Sequence, residues 1–188
     1  MKRIETAIEE VVIIEPQLIG DNRGYFFESF RENEFQEKVS RVKFVQENQS
    51  KSSRGVLRGL HFQREPYAQS KLIRVVKGCI RDIAVDIRKG SPTYGEHVAV
   101  ELSDENNRQV FIPQGFAHGF VVLSDEAIVQ YKCDNYYSAQ NEGGILWSDT
   151  QLNIDWGIEP NEAILSTKDL ENPTLEEFDS PFIYVAHE

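Results

Sequence analysis

The sequence predicts an all-β fold, a sandwich or closed barrel with a few helical turns. Two observations carry this expectation. Apolar-rich runs of four to eight residues recur at close intervals, separated by Gly, Pro, Asn and Asp. Only two short stretches carry a helical period. About ten strands at such spacing bury their apolar faces in packed sheets or in a barrel that covers its own edges.

Strands are expected at 11–14, 25–29, 43–46, 55–62, 71–77, 79–87, 97–102, 109–112, 117–123 and 128–132. In 71–77, alternation puts Lys71, Ile73, Val75 and Lys77 on one face and Leu72, Arg74 and Val76 on the other. In 79–87, Ile83, Val85 and Ile87 oppose Asp82, Ala84 and Asp86, the pattern of a half-buried strand. Gly78, Lys89-Gly90-Ser91-Pro92, Asp104-Glu105-Asn106-Asn107 and Pro113-Gln114-Gly115 supply the turns. A short helix is expected over 32–39, with Phe35 and Val39 at i, i+4 spacing. A second opens near 165–170, with Ser166 or Thr167 as its cap.

The chain of 188 residues fits one domain, 1–188. Its barrel core is expected at about 43–135, with N-terminal strands and a C-terminal helical segment packed on it. A chain of this length buries a sizeable core without staples, and Cys79 and Cys133 are too few for a disulfide framework or a four-Cys zinc site. Val11-Val12-Ile13-Ile14 is too short for a signal or membrane segment. A cytoplasmic location and no membrane partner are therefore expected.

A net charge of −11 argues against nucleic acid as the main partner. The charge is unevenly spread. Between Lys51 and Lys77 stand seven basic residues, Lys51, Arg54, Arg58, Arg64, Lys71, Arg74 and Lys77, against the single acid Glu65. From Leu102 to Glu188 there are sixteen acids and three basic residues. The cationic stretch is either a set of solvated strand charges or a pocket for a small phosphate or diphosphate.

Of the four histidines, His187 stands beside the C-terminal residue, where chains are often poorly ordered, and His97 opens a strand as a surface residue would. His61 and His118 differ, lying in the glycine-flanked runs Gly59-Leu60-His61-Phe62 and Ala117-His118-Gly119-Phe120. An imidazole in such a setting is either a hydrogen-bonded core group or a base held away from water. No His-x-His or His-x-x-x-His pair is present, so no metal site is expected. Gly-x-Gly-x-x-Gly, Gly-x-x-x-x-Gly-Lys-Ser/Thr and Gly-x-Ser-x-Gly are also missing. Acid–base chemistry without a cofactor remains.

Seven segments in order resemble the dTDP-4-dehydrorhamnose 3,5-epimerases, cofactor-free enzymes on a cupin-type β-barrel (jelly roll). They are Asp21-Asn22-Arg23-Gly24-Tyr25-Phe26-Phe27-Glu28, Phe44-Val45-Gln46-Glu47-Asn48-Gln49-Ser50, Gly55-Val56-Leu57-Arg58-Gly59-Leu60-His61-Phe62-Gln63, the run 85–95, Phe111-Ile112-Pro113-Gln114-Gly115-Phe116-Ala117-His118-Gly119-Phe120, Tyr131-Lys132-Cys133 and Leu165-Ser166-Thr167-Lys168-Asp169. The family inverts C3 and C5 of a dTDP-linked 4-keto-6-deoxy sugar. By resemblance His61 is the base, Asp169 the carboxylate that orients it, Tyr131 the acid on the opposite sugar face and Lys71 the cation beside the C4 oxygen. His118 joins the sugar pocket. Arg58 and Arg23 take the diphosphate, and Phe26, Glu28, Gln46 and Asn48 surround the nucleotide. Tyr137 flanks the base, and Glu142 and Lys168 complete the set.

The resemblance also implies a homodimer whose N-terminal strands carry Arg23, Phe26 and Glu28 into the partner's site. One departure is Trp156-Gly157, where many relatives have Trp-Pro. Alternation poses a further question, because Arg58 and His61 are three apart and a regular strand points them to opposite faces. A shared pocket requires a bulge at Gly59, or Arg58 at the rim. The competing readings are a mono-epimerase or 3,4-ketoisomerase on a related sugar, a non-catalytic sugar-binding cupin, and a metal-dependent cupin enzyme.

Overall fold

The computed structural model describes residues 1–186, so His187 lies outside the described residues. The elements run β1 (Lys2–Glu5), β2 (Val12–Glu15), β3 (Ile19–Asp21), β4 (Gly24–Phe26), α1 (Glu32–Lys38), β5 (Gln46–Ser53), β6 (Leu57–Gln63), β7 (Lys71–Lys77), β8 (Cys79–Asp86), β9 (His97–Ser103), β10 (Gln109–Ile112), β11 (Phe116–Val122), β12 (Glu126–Cys133), β13 (Glu142–Gly144) and α2 (Thr167–Leu170). Two antiparallel sheets carry the fold. One has six strands in the order β1-β2-β10-β7-β12-β5, the other five in the order β13-β6-β11-β8-β9. β3 and β4 form a separate hairpin.

The sheets face each other across a core of Ile73, Val75, Val110, Ile112 and Val129 from the first, and Ile80, Ala84, Val100, Phe116 and Phe120 from the second. Each sheet is also covered outside. Phe35 of α1 packs with Val12, Ile14, Leu72 and Phe111 on the outer face of the six-stranded sheet. This arrangement follows from the alternation in β7, which sends Ile73 inward and Leu72 outward. The C-terminal segment covers the five-stranded sheet, laying Leu152, Trp156, Phe178 and Phe182 over Ile83, Val85 and Ile87. β8 is thus buried on both faces, not half-buried as its alternation suggests. Asp82 and Asp86 carry the polar pattern, and both are satisfied inside: Asp82 by His118, Asp86 by Arg88, Ser91 and Thr93.

The elements depart from expectation mainly at the edges. The expected strand at 43–46 is displaced, since pairing with β12 begins at Gln46 and runs to Ser53. Phe44 instead packs edge-on against Phe30 and Phe35. The expected strand at 25–29 shrinks to β4, and β1, β3 and β13 add short strands with little apolar signal. The C-terminal helix begins where expected, with Ser166 as its cap. Gly157 has a φ of +75°, closed to proline, so the departure from Trp-Pro changes the local turn. No described helix is long and apolar enough to cross a membrane.

The bulge appears in β6. His61 pairs with His118 of β11 and Arg58 with Phe120, so two residues, Gly59 and Leu60, stand opposite the single Gly119. Gly59 has a φ of +136°, and a Cβ there would lie 2.4 Å from the Gly119 Cα. Only glycine meets both conditions. The inserted residue reverses the alternation, so Arg58 and His61 reach the same cavity.

Candidate active site

A cavity of about 470 Å³ opens between the sheets and includes Ser50, Arg58, His61, Lys71, His118, Tyr131 and Asp169 in its lining. A second lobe of about 400 Å³ adds Gln46, Asn48, Tyr137 and Glu142 and shares His61, Lys71 and Tyr131 with the first. These three residues stand where the lobes meet. His61 comes from β6 in the five-stranded sheet, whereas Lys71 and Tyr131 come from β7 and β12 in the other. A ligand between the sheets therefore meets the imidazole from one wall and the ammonium and phenol from the opposite wall.

Asp169 is held to His61 through a chain of local contacts. Ile164 N–H donates to the Gly55 carbonyl at 2.8 Å, and Leu57 N–H to the Ile164 carbonyl at 3.0 Å. This docks the C-terminal segment beside the start of β6. Ser166 then caps α2, and its hydroxyl donates to Asp169 Oδ2 at 2.7 Å. The other oxygen, Oδ1, lies 2.6 Å from His61 Nε2. A neutral imidazole that donates its Nε2 proton to this carboxylate keeps its lone pair at Nδ1, free to act as a base. Burial pushes the Asp169 carboxyl up, but the bonds from His61 and Ser166 outweigh it and hold the group below the usual range.

The opposite wall has the complementary protonation. Burial pushes the Tyr131 phenol above its ordinary value, which keeps it a proton donor. Burial lowers Lys71, while the charges of Asp82 and Glu142 pull the other way. Cys133, directly across the strands from Lys71, is buried and its thiol is pushed up to about 11, so it stays neutral.

His118 faces the same cavity beside His61. Its Nε2 lies 2.8 Å from Asp82 Oδ2, with both side chains buried. Asp82 and Ser166, which bond to His118 and Asp169, were not assigned to the site by sequence reasoning. Asp82 sat in the alternation of β8 on the same face as Ala84, a hint that it points inward. Ser166 was legible only as a helix cap.

The remaining expected residues divide into two groups. Arg58 is exposed at the cavity, its guanidinium seated by Nε and Nη2 bonds of 3.2 and 3.1 Å to Ser52 Oγ. The Tyr137 hydroxyl donates to Glu142 Oε2 at 2.9 Å, and Tyr137 N–H to Gln46 Oε1 at 3.1 Å. Glu142 also pairs with Lys168, which ties β13 to α2. Tyr137 is exposed and not a core aromatic. Arg58 and Lys71 alone of the seven basic residues line the first lobe, whereas Lys51 and Lys77 pair with Glu126 on the outside.

Arg23, Phe26 and Glu28 are absent from the linings of both lobes. Arg23 pairs with Asp21, and Glu28 with Arg31. Phe26 is exposed on the β3–β4 hairpin, above a separate cavity of about 430 Å³. Within one chain these residues do not join the His61 site. Among the described residues, no three His, Cys, Asp or Glu side chains come together as a metal-binding group.

Comparison with known proteins gives a consistent result. The family model described as dTDP-4-dehydrorhamnose 3,5-epimerase matches residues 5–177. A dTDP-4-dehydrorhamnose 3,5-epimerase of Shigella flexneri is 57% identical over 171 residues, covering 90% of this chain and 93% of that protein. A dTDP-6-deoxy-D-glucose-3,5-epimerase of Legionella pneumophila, solved in complex with dTDP-4-keto-L-rhamnose, superimposes with a TM-score of 0.94 at 47% identity, covering 98% of this chain and 99% of that one. A 3'-monoepimerase of Streptomyces bikiniensis, in complex with dTDP-quinovose, gives 0.84 at 34% identity, with 92% and 87% covered. The jelly-roll architecture is shared, and the chain belongs to the dTDP-4-dehydrorhamnose 3,5-epimerase family.

Proposed function

We propose that this protein converts dTDP-4-dehydro-6-deoxy-D-glucose to dTDP-4-dehydro-L-rhamnose by inverting C3 and C5 without a cofactor. The observation that carries this reading is the placement of His61 and Tyr131 on opposing walls of one cavity. Both C3 and C5 are alpha to the C4 ketone, so removing either proton gives an enolate at the C4 oxygen. His61 Nδ1 takes the proton, and Asp169 stabilises the imidazolium that forms. Lys71 carries the enolate charge. Tyr131 returns a proton to the opposite ring face, which inverts the carbon, and solvent resets both groups. His118, held by Asp82, borders the sugar.

Arg58 takes the diphosphate as a charge-assisted donor, with Gln46, Asn48, Tyr137, Glu142 and Lys168 around the nucleotide. Arg23, Phe26 and Glu28 act in the site of a second subunit of a homodimer. This part is supported by the exposure of Ile19, Tyr25 and Phe26 on a hairpin outside both sheets. The composition accords with a cytoplasmic enzyme.

Three measurements test the proposal. Incubation with the 4-keto sugar nucleotide in heavy water is expected to place deuterium at both C3 and C5, with label lost in His61→Ala. Label at one carbon alone indicates a mono-epimerase, and none at all a binding protein. For the dimer, mixing inactive Arg23→Ala with inactive His61→Ala is expected to restore about a quarter of the activity, since random exchange of two-site dimers leaves one intact composite site in half of them. No recovery after subunit exchange contradicts the shared site.

The pH profile tests Lys71. Its lowered value means that the ammonium loses its charge at lower pH than an ordinary lysine, while the raised Tyr131 phenol ionises later than an ordinary tyrosine. Activity is therefore expected to fall as pH rises through the Lys71 value, and Lys71→Arg should move this limb upward while lowering kcat. An unmoved limb excludes Lys71 as its source.

A further inference from the structure

We propose that Ser50 is a substrate-binding residue whose hydroxyl donates to the phosphoryl group attached to the sugar, sharing that group with Arg58. The proposal rests on the sugar-nucleotide reading above. β5 alternates along its length, turning Gln46, Asn48, Ser50 and Ser52 toward the interior and the intervening residues to solvent.

Three of the four inward polar groups have partners within the protein. Gln46 Oε1 accepts from Tyr137 N–H at 3.1 Å, Asn48 Oδ1 from Gln46 Nε2 at 3.1 Å, and Ser52 Oγ from Arg58. The Ser50 hydroxyl has none among the described residues, although its oxygen is fully buried and the residue lines the cavity. An unpaired buried hydroxyl opposes folding, so its presence calls for a ligand that supplies the missing bond. Two other buried side-chain nitrogens lack partners, Arg81 Nε and Asn172 Nδ2, but neither residue lines either lobe.

Position selects the ligand atom. On the inward face of β5, Ser50 stands between Ser52, which seats the Arg58 guanidinium, and Asn48, which lies directly across from Tyr131. With the diphosphate at Arg58 and the sugar ring at Tyr131, the group between them is the phosphoryl ester at the sugar's C1. A hydroxyl and a guanidinium converging on one phosphoryl group are a strong donor pair.

The test is calorimetric binding of dTDP and dTMP to wild type and Ser50→Ala, with thermal melting and steady-state kinetics. dTMP lacks the phosphoryl group that Ser50 is assigned to hold. The expected result is about tenfold weaker dTDP binding and a similar rise in KM. dTMP affinity and kcat should stay close to wild type, and the melting temperature should be unchanged or higher. Unchanged dTDP affinity overturns the proposal, as does equal weakening of dTMP or a lowered melting temperature, each of which marks a structural hydroxyl. Deuterium exchange by saturated Ser50→Ala separates the two readings: label at C3 and C5 leaves the epimerase function standing even if the Ser50 assignment fails.

Discussion

The site depends on the close approach of two glycines. At the β6 bulge, Gly59 and Gly119 lie so near that a side chain on Gly59 would strike the opposite backbone. The extra residue this permits turns Arg58 and His61 into one cavity, which a regular strand forbids. The same segment starts beside Gly55, where the C-terminal chain docks and brings Asp169 to His61. One irregular strand thus brings Arg58 and His61 to one cavity and docks the segment that carries Asp169.

The two sheets divide the chemistry. The five-stranded sheet supplies imidazoles backed by buried carboxylates, His61 with Asp169 and His118 with Asp82. The six-stranded sheet supplies a phenol that burial keeps protonated and a lysine that burial brings closer to losing its charge. In the proposed mechanism, proton removal and proton return act on opposite faces of a ring lying between them, which inversion requires. Burial of Asp82, His118 and Asp169 in the cavity walls strengthens these electrostatic effects. A strongly acidic protein accommodates an anionic substrate because its acids lie elsewhere or are already paired, as Asp169, Asp82 and Glu142 are.

Much of this was legible from residues because the central strands announce themselves. β7 and β8 alternate, β11 is a nearly continuous apolar run, and the His61 and His118 runs were singled out by their glycines. β5 was displaced for a physical reason: Gln46–Ser53 has no apolar residue, since its inward face meets the cavity and polar partners where other strands meet core. The apolar pair Phe44-Val45 drew the expected strand toward it, yet Phe44 belongs to the cluster beneath α1. Burial of β8 on both faces was hidden because its outer cover, Leu152, Trp156, Phe178 and Phe182, comes from much later in the chain. Asp82 was missed because alternation locates a face but not the partner waiting there. The roles of Arg23, Phe26 and Glu28 came from resemblance alone, and a single chain does not bring them to the cavity.

The most direct test of the two-wall account is Tyr131→Phe incubated with the 4-keto sugar nucleotide in heavy water. His61 still removes protons and exchanges them with solvent, but the opposite wall has lost its donor. The account predicts deuterium entering with retained configuration, and inversion reduced by about two to four orders of magnitude. Inversion at the wild-type rate, or loss of exchange together with inversion, would contradict the separation of base and acid between the two sheets.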